Sequence, residues 1–318
     1  MNRPASLPNS SVVAGLLGVC IADALGVPVE FSSRAERQQD PVRTMRGYGT
    51  WNQPPGTWSD DSSLMLCLAD SLCSGFNLDD MGDRFRRWHD EQLWTPHGEV
   101  FDVGGTTSEA IAHLRNGIPA VQAGGTAERN NGNGSLMRIL PMAFCYPKLA
   151  LPELIHRTYQ VSCITHGHPR SQLACGIYIS IAVQLLQGQP PPAAYKTGLQ
   201  QVEVLYQDSP FVEERSPFER VWSGAIDQLA ESTIQSGGYV VHTLEAALWC
   251  WLTTDNYADA VLKAVNLGDD TDTTAAVTGG LAGLTYGVSG LPSEWIEAIA
   301  RLDDIVQLAQ QLEQTWMS

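Results

Sequence analysis

Two acidic, hydroxyl-rich segments stand far apart in the chain: Thr57-Trp58-Ser59-Asp60-Asp61-Ser62-Ser63 and Asp269-Asp270-Thr271-Asp272-Thr273-Thr274. Carboxylates interleaved with Ser and Thr hydroxyls make an all-oxygen ligand set, the kind that hard divalent cations such as Mg2+ or Mn2+ take. Brought together, the five aspartates would repel one another unless cations neutralised them. Each segment runs directly into apolar sequence with helical spacing, at 64–72 and 275–284. Helix capping accounts for one acid at each helix start, because Ser, Thr and Asp are favoured there. It does not account for Asp-Asp or Asp-Asp-Thr-Asp, so the pattern points to a metal centre built from both segments.

The elements that must position such a centre read as helices. Apolar residues recur at three- and four-residue intervals, as in Leu64, Cys67, Leu68 and Leu72, the signature of one buried helix face. This periodicity predicts helices over 12–25, 62–73, 79–91, 108–116, 152–164, 169–186, 193–206, 218–228, 243–253, 257–266, 273–284 and 294–316. Strand-like alternation is scarce, and Tyr239-Val240-Val241 is too short to imply a sheet. Glycine and proline punctuate the loops at 45–56, 101–105, 124–134 and 237–238. The expected fold is all-α: one domain over 1–318, a compact orthogonal multi-helix bundle whose long loops surround a binuclear metal cleft.

Composition narrows the function classes. The chain has 318 residues, 43% of them hydrophobic, enough for a sizeable core. Its net charge of −16 argues against a nucleic-acid or anionic-membrane partner, since both need a positive footprint. An uninterrupted apolar run of membrane-spanning length is not read from the sequence, nor is a secretory leader, so the expected compartment is the cytoplasm. The seven cysteines (Cys20, Cys67, Cys73, Cys145, Cys163, Cys175, Cys250) form no CxxC pair and read as reduced core residues.

Four segments in order carry a resemblance. Gly18-Val19-Cys20-Ile21-Ala22-Asp23-Ala24-Leu25-Gly26-Val27-Pro28-Val29-Glu30-Phe31 resembles the opening of the ADP-ribosylglycohydrolase family. Gly56-Thr57-Trp58-Ser59-Asp60-Asp61-Ser62, Asn131-Gly132-Asn133-Gly134-Ser135-Leu136-Met137-Arg138 and Gly268-Asp269-Asp270-Thr271-Asp272-Thr273 match the same family in register. The resemblance implies an all-α hydrolase with two divalent cations, Mg2+ or Mn2+. Its ligands map to Ser59, Asp60 and Asp61 in the first segment and to Asp270, Asp272 and Thr273 in the second. Where the family usually has Thr-Asp-Asp-Thr, this chain has Ser-Asp-Asp-Ser, which keeps the hydroxyl oxygen and loses the methyl that stiffens χ1. Asp269 stands where many members carry Gly or Asn, and reads as an acid supporting the ligands.

The implied chemistry is hydrolysis at an anomeric carbon. Two such cations hold a vicinal diol and a water, and carboxylates stabilise the oxocarbenium-like transition state. Asp61 or Asp270 is the general base, and Glu30, which matches a gating acid in some family members, is general acid or lid. Asp23 is expected to be a helix-interior polar group or a support for the ligands. Gly104, in Phe101-Asp102-Val103-Gly104-Gly105-Thr106-Thr107, and Gly134 with Ser135 are expected to meet phosphate or ribose at helix N-termini. His166 is expected to touch the ligand, with His168 an ordinary loop residue. Trp58 is expected to line the cleft because it abuts the ligands, and Trp51, Trp94 and Tyr286 are candidates to stack there. Arg138 is a candidate structural ion-pair partner.

The expected substrate is an ADP-ribosylated protein or small ADP-ribose conjugate, with arginine as the leading acceptor. O-linked ADP-ribose (serine or O-acetyl-ADP-ribose) is the enzymatic alternative. A catalytically silent, crystallin-like binder is the alternative from another class, although all six ligand positions keep oxygen-bearing side chains. A two-metal phosphatase or nuclease would show His/Asp ligands and a basic groove, and neither is read here.

Overall fold

The first predicted helix, α1 (Ser11–Gly26), begins where the Ser10 hydroxyl accepts hydrogen bonds from the Val12 and Val13 amides. Val27–Val29 continues it as a 3-10 turn carrying Pro28. By length and composition Ser11–Val29 could cross a membrane, with a mean hydropathy of 2.1, but its apolar window is wholly buried inside the fold. It is the central post of the molecule.

The computed structural model describes residues 7–207 and 210–317. It is 66% helical, with no strand among the described residues. After α1 come α2 (Arg34–Gln39), α3 (Asp60–Leu72), α4 (Leu78–Glu91), α5 (Gly105–Arg115) and α6 (Ala120–Ala123). The middle holds α7 (Leu151–Cys163), α8 (Pro169–Leu186), α9 (Pro191–Glu203) and α10 (Glu219–Trp222). The last third holds α11 (Val240–Leu252), α12 (Tyr257–Val265), α13 (Thr271–Tyr286), α14 (Ser293–Ala298) and α15 (Leu302–Trp316).

The differences from the expected helices have local causes. The helix expected over 294–316 is two, because Ile299 turns extended (ψ 132) after α14 and Arg301 adopts a left-handed conformation (φ 51) before α15. The one expected over 218–228 is reduced to α10 and a 3-10 turn, interrupted at Gly224 (φ 68). The helix α2 was not anticipated, although its capping box, Ser33 with Glu36, was readable. Tyr239 makes an isolated antiparallel bridge to Gly132, and Val240 opens α11. The Val240 amide donates to Asn131 O and the Asn133 amide to Gly238 O, both at 3.0 Å, which pins the 131–133 loop to the start of α11.

Two acidic segments far apart in sequence meet because α1 and α13 touch backbone to backbone. A Cβ added at Gly18 would lie 2.5 Å from Gly279 O, and one at Gly283 would lie 2.4 Å from Ala14 O. At the far end, Gly26 admits Asp272, whose Cα would be 2.3 Å from a Cβ there. Thr271 Oγ1 donates to Gly26 O at 2.9 Å, and the α1 carbonyl at Gly18 also accepts from Tyr257 Oη at 2.6 Å. Small residues on both faces thus set how deep the start of α13 sits.

Gly279→Ala tests this contact. Alanine improves helix propensity by about 1 kcal/mol, but its Cβ would fall 2.3 Å from Gly18 O and 2.5 Å from Ala22 Cβ. Overpacking should win, with a net destabilisation on the order of 2 kcal/mol, read as a lower urea midpoint. An unchanged or higher midpoint would refute the backbone contact.

Candidate active site

Asp23 is the hinge on which the first acidic segment hangs. Fully buried in α1, it accepts from the Ser59 amide at 3.0 and 3.1 Å, from the Ser62 amide at 3.1 Å and from Ser62 Oγ at 2.5 Å. Ser59 Oγ in turn accepts from the Asp61 amide at 3.2 Å, as the N-cap of α3. Capping of α3 is therefore done by Ser59 and Asp23, and the Asp60 and Asp61 carboxylates are left for other work. Both are buried.

The start of α13 repeats this logic. Asp270 occupies the N-cap position, yet its side chain makes no capping bond; Oδ2 instead accepts from Asn133 Nδ2 at 2.8 Å. Asp272 Oδ1 accepts from the Thr273 amide at 2.9 Å, and Thr273 Oγ1 donates to Asp61 Oδ1 at 3.2 Å, joining the two segments. Three carboxylate oxygens remain buried with no hydrogen-bond partner: Asp61 Oδ2, Asp270 Oδ1 and Asp272 Oδ2. Unpaired buried charge is costly. Orphaned oxygens on three converging aspartates fit divalent cations, which would satisfy them and cancel the repulsion.

Crowding shows in the protonation of the cluster. Burial and then the Asp102 charge push Glu30 up to about 9, and burial raises Asp102 to about 6. Burial, reinforced by the neighbouring carboxylates, holds Asp60, Asp61 and Asp272 well above the usual range. Burial also raises Asp270, against the bonds from Asn133 and Thr273. Carboxylate oxygens of Glu30, Asp102 and Asp272 all lie within 4.8 Å of one another.

These groups open on a cleft of about 470 Å³ lined by Glu30, Asp60, Asp61, Asp102, Asp270 and Thr273 on one side. The other side is backbone-rich: Gly104 to Thr107 at the start of α5, and Gly132 to Gly134. Gly104 caps α5 with no side-chain bond, so the first amides of the helix are free to meet an anion. A Cβ at Gly134 would lie 2.7 Å from His166 Cε1, so only glycine lets that loop pack against the imidazole. His166 lines the cleft, is 2% exposed and pairs with Thr165 Oγ1 at 2.8 Å. Burial, then Arg138, depresses it to about 3, so it is neutral.

Several expected residues lie elsewhere. Trp58 is fully buried and outside the cleft lining, its Nε1 donating to Trp94 O at 3.3 Å; alternation into the core turns it away although its neighbours are acidic. Ser135 is also fully buried, with Oγ accepting from Ser162 Oγ at 2.9 Å and lying 3.5 Å from Cys175 Sγ, so its side chain does not reach the cleft. Asp269 is exposed and contributes backbone, its amide donating to Ser32 O at 2.7 Å. Ser59 and Asp272 stand behind the cleft surface, buried. Trp51 lines the cleft, whereas Trp94 sits under Arg301 and Tyr286 donates to Thr254 O.

Arg138 binds carbonyls, Gly134 O and Val161 O, instead of a carboxylate, and its guanidinium lies 4.8 Å over the Phe85 ring. His168 is the N-cap of α8. It stands near Glu128 and Glu214, but Arg170 is ion-paired to both carboxylates, at 2.6 and 2.7 Å, and closes that group to a metal. All seven cysteines are free. Asp102, whose glycine-rich turn carries no acidic motif, joins the acidic cluster from a left-handed backbone position (φ 56). Asn133 was not anticipated as the group that orients Asp270.

An all-α fold with this double-aspartate cleft defines a class of hydrolase. The chain belongs to the ADP-ribosylglycohydrolase family, which it matches over residues 4–318, and is an enzyme that hydrolyses a glycosidic bond to ADP-ribose. It is 36% identical to the ADP-ribosylarginine hydrolase Tri1 of Pseudomonas putida (strain GB-1), over 93% of this chain and 76% of the relative. It is 30% identical to the ADP-ribosyl-[dinitrogen reductase] glycohydrolase of Rhodospirillum rubrum, over 90% of this chain and 89% of the relative. The solved structure of an ADP-ribosylglycohydrolase-related protein complex superposes with a TM-score of 0.81 at 31% identity, covering 97% of this chain and 99% of that one.

Proposed function

We propose that the chain removes ADP-ribose from the guanidino nitrogen of ADP-ribosylated arginine, with two Mg2+ or Mn2+ ions held by Ser59, Asp60, Asp61, Asp270, Asp272 and Thr273. The observation that carries the metal reading is the set of orphaned oxygens on Asp61, Asp270 and Asp272. The arginine linkage is supported by the likeness to the ADP-ribosylarginine hydrolase of Pseudomonas putida. When bound, the cations orient the ribose diol and lower the pKa of a water.

The chain's own groups do the rest. The uncapped amides at the start of α5, with the backbone of Gly132 and Gly134, receive the pyrophosphate, and neutral His166 lines that end of the pocket without adding charge. Asp61 or Asp270 takes the proton of the attacking water, and Asn133 keeps Asp270 aimed into the cleft. Glu30, protonated near neutrality and bonded by Trp51 Nε1, gives its proton to the departing nitrogen, while Asp102 stabilises the positive charge that builds on the ribose.

The test is release of free ADP-ribose from an ADP-ribosylated arginine protein, with Mg2+, with Mn2+ and with EDTA, beside an ADP-ribosylated serine peptide. Metal-dependent release from the arginine substrate is the expected outcome. Release from serine alone would overturn the linkage, and release that survives EDTA would overturn the metal assignment.

A further inference from the structure

A large aromatic ring stands in water at the mouth of the acidic cleft. Phe31 is 66% exposed and lines the cleft beside Glu30. Its backbone lies in the left-handed region (φ 64), where a bulky residue is rare and strained. The fold holds it there with a reciprocal pair of 2.7 Å bonds: the Phe31 amide donates to Asp269 O, and the Asp269 amide donates to Ser32 O. Neither core packing nor backbone preference accounts for a phenylalanine at this position.

Phe31 does not stand alone. Trp51, which also lines the cleft, meets it edge to face with ring centroids 6.2 Å apart, and Phe101 backs Trp51 at 5.5 Å. The Trp51 indole is fixed by its bond to Glu30, and Asp102 follows Phe101 in the chain. Aromatic rings thus gather at the rim beside Glu30 and Asp102. Among the described residues no Lys or Arg lines this cleft. A π-face over carboxylates attracts a cation, and a planar, weakly hydrated guanidinium stacks on such a face better than an ammonium does.

We propose that Phe31 and Trp51 form the acceptor-side subsite, taking the guanidinium of the conjugated side chain and favouring arginine-linked over hydroxyl-linked ADP-ribose. The subsite rests on the arginine reading above and names the residues that give it specificity. Phe101 acts through Trp51, as a positioning residue.

Phe31→Leu keeps apolar volume and removes the ring; Phe31→Trp restores one. In the leucine variant KM for the arginine conjugate should rise about fivefold, the value of one rim cation–π contact. The loss should fall on KM rather than kcat, with no loss in calorimetric affinity for free ADP-ribose, and Phe31→Trp should recover it. An unchanged KM, or an equal loss of ADP-ribose affinity, would overturn the subsite. Agmatine, a free guanidinium cation, gives a reading without turnover. Binding to the ADP-ribose-loaded wild type that is lost in Phe31→Leu supports the subsite even if no arginine conjugate is cleaved, in which case the function falls alone. Equal agmatine binding by both proteins, or none by the wild type, overturns the subsite while leaving hydrolysis to its own assay.

Discussion

Asp61→Asn should lower metal-dependent ADP-ribose release by about a thousandfold, which is ~4 kcal/mol of barrier, while making the metal-free protein more stable. The two effects share one cause. Asp61 is 1% exposed, with Oδ2 unpaired and Asp23, Asp60, Asp270 and Asp102 all raising its pKa after burial. Asparagine is isosteric and its carbonyl can still accept from Thr273 Oγ1, but it removes a charge that only a cation would compensate. Loss of turnover together with a higher melting midpoint in EDTA identifies a ligand. Loss of turnover with a lower midpoint would recast Asp61 as structural, and full turnover with metal would remove it from the site.

Metal and pH should trade against each other over a wide range. Glu30 moves from its ordinary 4.5 to about 9 and Asp102 from 3.8 to about 6 on folding. A raised carboxyl pKa means that the fold binds protons the unfolded chain has released. That stability is present below pH ~4 and is lost as pH rises, through about 6 for Asp102 and about 9 for Glu30. The metal-free protein should therefore melt progressively lower as pH rises from the ordinary carboxyl values of 3.8 and 4.5 to about 9. Cations held by Asp60, Asp61, Asp270 and Asp272, whose carboxyls burial also raises, compete with protons there and bind better as those carboxylates ionise. At a hundred times Kd they should add about 2.7 kcal/mol, roughly 4 °C for a chain of this size. The increment should be larger at pH 8 than at pH 6. An equal increment at both pH values, or none, would contradict a carboxylate-held metal centre.

The helical character of the chain was legible wherever apolar spacing was strong, and α8 forms over Pro169–Leu186, as its periodicity predicts. Periodicity failed around Gly224 and across 299–301, where positive φ at Gly224 and Arg301 and extended backbone at Ile299 interrupt a helix whose apolar pattern continues. The acidic segments were legible because ligand chemistry is written in residue type. Which side chains face the cleft was not. Trp58 and Ser135 adjoin site residues in sequence and point into the core, and Asp102 sits in an unremarkable turn whose left-handed backbone brings its carboxylate to Glu30 and Asp272.

By itself, the sequence determined an all-α chain with two oxygen-rich segments at helix starts, since helix period, capping preference and ligand type are local properties of residues. Only the tertiary structure decided that the segments meet, through the glycine-lined contact of α1 with α13. It also decided which acids stay free of the cap: Asp23 and Ser59 take over the capping of α3, leaving the Asp60 and Asp61 carboxylates to the cleft. That division depends on backbone approach and burial across the whole chain, which no local pattern carries.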